Sequence, residues 1–96
     1  MTVSIPKRKL DLGKRGDALL DPVVDLLLAH GNRLAETYRW GANPTGYFCL
    51  LDQPIDFDLV ESSFDVPDTV TLDRRLGIID YGYGTALIRQ HDRAAA

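Results

Sequence analysis

Cysteine is nearly missing from this chain. Cys49 is the only one in 96 residues, so no intramolecular disulfide can form and nothing points to an oxidising compartment. Long apolar runs are missing too, since the longest, Tyr47 to Leu51, falls far short of the roughly 18 residues that a membrane-spanning helix needs. Residues 18–29 follow a basic segment as the core of a signal peptide would, but Asp21, Pro22 and Asp25 interrupt them and no small-residue cleavage site follows. The two histidines, His30 and His91, are far in sequence from Cys49 and from each other. That spacing matches no zinc site and no local thiol–imidazole signature. Residues 52–65 contain no glycine, which removes the turn that a calcium-binding loop requires. These absences lead us to expect a cytoplasmic protein with no cofactor, no metal and no membrane association.

Charge is present, and it is segregated. Between Asp52 and Asp80 stand Asp52, Asp56, Asp58, Glu61, Asp65, Asp68, Asp73 and Asp80, opposed only by Arg74 and Arg75. The first sixteen residues run the other way, with Lys7, Arg8, Lys9, Lys14 and Arg15 against Asp11. The formal net charge of −3 therefore hides a basic arm and an acidic body. Clustered carboxylates raise a negative potential that steers a basic partner and fixes its orientation.

Length and composition give one domain, with apolar residues at 45% and charged residues at 26%, as in ordinary globular chains. We divide it into a basic arm (1–16), a folded body (17–91) and a short tail (92–96). Asp21 is placed to cap a helix with Pro22 in its first turn, and Val23, Val24, Leu27 and Leu28 follow at helical spacing. Gly31 and Asn32 are the natural stop. The spacing of Leu34 and Tyr38 favours a second helix, or a longer first one, ending near Tyr38, although Leu34, Tyr38 and Trp40 would also share one face of a strand. Tyr47 to Leu51 reads as a buried strand, and Thr69 to Leu72 as another. Ile55, Asp56, Phe57, Asp58 and Leu59 alternate strictly, which in an extended chain sends two carboxylates to one face. Leu76 to Tyr81 and Thr85 to Arg89 flank Gly82, Tyr83 and Gly84 as a closing hairpin. The expected fold is α+β: an N-terminal helical segment on one face of an antiparallel sheet of about four strands, with the other face free.

Candidate chemistry is then electrostatic. Asp56 and Asp58 are expected to supply charge on the free sheet face, with Glu61 and Asp65 beside them and Tyr83 as an aromatic anchor at the hairpin tip. Cys49, between Phe48 and Leu50, reads as core filling rather than a nucleophile. No nucleophile, base and orienting group assemble from the sequence, so no catalytic residues are assigned. The expected function is a small inhibitor of the immunity-protein, antitoxin or phage-encoded type, including anti-CRISPR proteins. It would occlude a basic site on another macromolecule, for example a nucleic-acid-processing protein. The alternative is a nucleic-acid or ribonucleoprotein accessory that uses the basic arm, although the arm lacks interleaved aromatics and argues against direct nucleic-acid binding. The arm could instead cover the acidic face of its own chain or of a second copy in a homodimer.

Overall fold

The computed structural model describes residues 7–44, 46–81 and 86–90. The fold is α+β, with two helices, a five-stranded mixed sheet and a small two-stranded sheet. Helix α1 (Gly16–Ala29) buries Leu19, Leu20, Val23, Val24 and Leu27, a stripe at three- and four-residue spacing along one side. It begins five residues before Asp21, so Asp21 does not cap it and Pro22 lies inside it. The reason is burial. Leu19 and Leu20 are 1% and 0% exposed, and hiding each stabilises by roughly 1.5–3 kcal/mol, which offsets the roughly 3 kcal/mol of an interior proline. The helix stops where expected. Gly31 adopts φ 103°, its N–H donates to the Leu28 carbonyl and that of Asn32 to the Leu27 carbonyl, the paired closure of a Schellman motif.

Residues 33–40 are not a helix. Asp52 N–H donates to the Arg33 carbonyl and Ala35 N–H to the Leu50 carbonyl, and Leu34 bridges to Leu51 in antiparallel fashion. A glycine and an asparagine closing α1 make continuation costly, while the edge of the strand that ends at Leu51 offers backbone partners. Strands β1 (Arg8–Lys9), β2 (Gly41–Asn43) and β3 (Gly46–Leu51) precede helix α2 (Phe57–Ser63). This helix overturns the expected strand at residues 55–59. Asp56 is its N-cap, accepting the Leu59 N–H at 3.1 Å, and Asp58 lies in the first turn, where a carboxylate suits the positive helix end. Ile55 and Val60, both buried, occupy the two positions of a hydrophobic staple. Phe57, Val60 and Phe64 bury at helical spacing, so the period-two pattern was a coincidence of Asp56 and Asp58 bracketing Phe57.

After α2 come β4 (Phe64–Asp65), β5 (Val70–Asp73), β6 (Ile78–Tyr81) and β7 (Ala86–Gln90). The large sheet runs β2-β3-β7-β6-β5, and β1 pairs with β4 separately. The sheet is mixed rather than antiparallel, because β3 and β7 run parallel with Cys49 opposite Ile88. Residues opposite one another share a face. Cys49, Ile88, Ile79 and Leu72 make one row, and Tyr47, Ala86, Tyr81 and Val70 the next. This face shares its core with α1 and α2. The opposite face carries Phe48, Leu87, Asp80 and Thr71, then Leu50, Arg89, Ile78 and Asp73, none of them fully buried. The acids on the open sheet face are thus Asp73 and Asp80, not Asp56 and Asp58.

Two side chains bolt the elements together. Asn32 donates through Nδ2 to the Gln53 carbonyl at 3.2 Å, while its Oδ1 accepts the Gln53 N–H at 3.1 Å. Gln90, at the end of β7, accepts the Ile55 N–H on Oε1 at 3.1 Å, so the strand end fixes the entrance to α2.

Candidate acidic groove between β4 and β5

The carboxylates picked from the sequence fall into two settings. Asp58 and Glu61, three apart on α2, are neighbours on the helix surface and both meet Arg74, with Nη2 at 2.9 Å from Asp58 and 3.1 Å from Glu61. The Arg74 guanidinium also lies 5.6 Å from the centroid of the Phe57 ring. These pairs are exposed, so their strength is modest. Asp56 is occupied with capping, although it remains exposed. Asp65 and Asp68, by contrast, make no ion pair among the described residues and are exposed.

A groove of about 530 Å³ separates β4 from β5. Its rim holds Glu61, Asp65 and Asp68 against Lys7, and its apolar walls include Phe64, Val66, Val70 and Leu72. Sequence reasoning singled out Glu61 and Asp65 but not Asp68 or the apolar walls, because the groove exists only once α2 and β4 fold back beside β5. Tyr83 lies outside the described residues.

The basic segment is docked where it is described. Arg8 and Lys9 pair in register with Phe64 and Asp65, the Arg8 guanidinium lies 5.1 Å from the centroid of the Phe64 ring, and Leu10 is buried. Arg15 is held by Asp17 at 2.7 Å and sits 4.7 Å from the centroid of the Tyr47 ring. Its hydrogen bonds hold the Asp17 carboxyl below the usual carboxylate range. A further cluster on α1 escaped notice in the sequence. Asp21 accepts from Trp40 Nε1 and Arg39 Nη1, both at 3.0 Å, and Arg39 also reaches Asp25 at 2.6 Å. This ties residues 39–40 to the helix.

Cys49 is fully buried, and burial pushes its thiol up to about 11, which leaves almost no thiolate at neutral pH. His30 donates through Nδ1 to the Leu26 carbonyl at 3.1 Å, as a residue closing α1 can, while His91 lies outside the described residues. Among the described residues no three His, Cys, Asp or Glu side chains converge to hold a metal ion. No described helix is long and apolar enough to cross a membrane. No protein-family model matches this chain, and no curated protein or solved structure matches it either.

Proposed function

We propose that this protein is a non-catalytic binding module that engages a basic part of another protein through the acidic groove between β4 and β5. The observation that carries the reading is the exposed pair Asp65 and Asp68, which make no ion pair among the described residues, joined in the groove by Glu61, which Arg74 pairs, and faced there by Lys7. Asp56 extends the same negative field to the start of α2, beside Asp58, whose charge Arg74 pairs. Such a field speeds encounter with a cationic partner and penalises acidic ones. A small protein that covers a basic site in this way acts as an inhibitor, because the arginines and lysines it pairs with no longer hold phosphate.

The alternative, a nucleic-acid accessory acting through the basic arm, is less well served. Arg8 is committed to Phe64 and Arg15 to Asp17 and Tyr47, and phosphates approaching Lys7 would meet the carboxylates of the groove. The two readings part on one experiment. The protein and an Asp65→Lys, Asp68→Lys variant are each used to retain proteins from the native host, at low and at high salt. Salt-sensitive retention of one partner that the reversed variant loses supports the acidic groove. Equal retention by both proteins refutes it, and nuclease-sensitive retention by both supports the basic segment.

A further inference from the structure

Strand β5 is the end of the large sheet, with β6 on one side and no strand on the other among the described residues. We propose that this edge takes up an extended, lysine- or arginine-bearing segment of the partner protein as an added strand. The proposal rests on the acidic-groove reading and specifies how that groove is filled. Val70 N–H donates to the Pro67 carbonyl at 3.0 Å within the preceding turn, so it does not point toward β6. In an antiparallel ladder alternate residues turn their backbone groups to opposite sides. The Val70 carbonyl and both backbone groups of Leu72 therefore face outward, over the groove. An edge of this kind is a template for another strand.

The chemistry of the occupant follows from the walls. Val70 and Leu72 share the core-side face of the sheet, so every second residue of an added strand would lie beside the half-buried Leu72 and Val66, beneath the rim of Glu61, Asp65 and Asp68. Lysine and arginine satisfy both surfaces, laying an aliphatic stem on the apolar wall and carrying the charge to the carboxylates. An acidic strand would be repelled there. A wholly apolar one would leave the rim acids facing it without partners. Main-chain hydrogen bonds would supply register and the alternate cations selectivity.

The probe is an eight-residue peptide alternating lysine and threonine, blocked at both ends, titrated into the full chain and followed by amide NMR and hydrogen exchange. In the free protein the Leu72 amide exchanges fast, and at saturating peptide it slows by about tenfold or more. A peptide with glutamate in place of lysine does not bind. Methylating the backbone nitrogens of alternate residues abolishes binding in one of the two registers, because those amides supply the ladder. Glu61→Gln, Asp65→Asn and Asp68→Asn together weaken the lysine peptide by about tenfold and flatten its salt dependence. Binding that shifts α2 and β4 signals without protecting Leu72 overturns strand addition while leaving the acidic groove standing. Absence of binding at low salt overturns both. A Leu72 amide already protected in the free protein means that the edge is occupied within the chain, and also overturns the proposal.

Discussion

Replacing Gly77 by alanine tests how β7 is fastened to the start of α2. Gly77 adopts φ 68°, and a Cβ there would lie 2.3 Å from Cδ of Gln90 and 2.6 Å from its Oε1. Two costs follow. The left-handed backbone costs a non-glycine residue roughly 1–2 kcal/mol. The Gln90 side chain is flexible and can swing aside, but doing so releases the Ile55 N–H that it accepts at 3.1 Å. Leaving that part-buried donor unpaired costs about 1–3 kcal/mol. Gly77→Ala should therefore destabilise by about 2–5 kcal/mol, the upper end being a large share of the 5–15 kcal/mol typical of a domain. Gln90→Ala removes both the obstacle and the acceptor, and should by itself cost about 1–3 kcal/mol. In the Gln90→Ala background the glycine substitution should cost only the backbone share, about 1–2 kcal/mol. Urea denaturation of the four proteins gives the coupling directly. If Gly77→Ala costs the same with and without Gln90, the Gln90 amide is not what fills the space beside Gly77, and the account of this junction fails.

Asp56→Ala removes the cap of α2 and should cost about 1 kcal/mol, a fall in Tm of roughly 4–8 °C for a chain of this size. Asp58→Ala, at a side chain 87% exposed, should cost no more than about 0.5 kcal/mol; equal losses measured by thermal melting would contradict the helix. Asn32→Ala unlinks the end of α1 from Gln53 and should cost about 1–3 kcal/mol, with faster amide exchange at Gln53 as the specific sign. Burial raises the Asp80 carboxyl above the usual carboxylate range. A raised folded pKa means that the charged form costs stability at neutral pH, and that this cost is relieved as pH falls through the folded pKa. Asp80→Asn should accordingly raise Tm at pH 7 by an increment that shrinks under acid, and an unchanged or lowered Tm at pH 7 would count against the burial argument.

The elements that the sequence foretold are those whose signals are local. Tyr47 to Leu51 is apolar and aromatic, Thr69 to Leu72 is largely β-branched, and Gly31 can adopt the conformation that ends α1; each works without knowing the rest of the fold. Asp56 to Leu59 failed because two periods fit the same letters, and the deciding residues, Val60 and Phe64, lie beyond the alternating window. Asp21 failed as a cap because α1 starts five residues earlier to bury Leu19 and Leu20, and the partners it meets instead, Arg39 and Trp40, are distant in sequence. The parallel pairing of β3 with β7 left no local trace at all. For the candidate groove, Glu61 and Asp65 were legible as charge, but their meeting with Asp68, Phe64 and Leu72 at one opening depends on the return from β4 to β5.

The position of β7 also governs the order in which this molecule can assemble. It lies between β3 and β6, so those two strands are joined only through residues 86–90, with the buried Ala86 and Ile88 between them. Without that strand Cys49 and Ile79 lack their common neighbour, and the chain consists of two part-structures with open strand edges. Closing the sheet requires joining segments far apart in sequence, an entropic cost that slows folding relative to a chain of local contacts. The parallel pairing of β7 with β3 is therefore the long-range step in closing this sheet, and until it forms both strands present open edges.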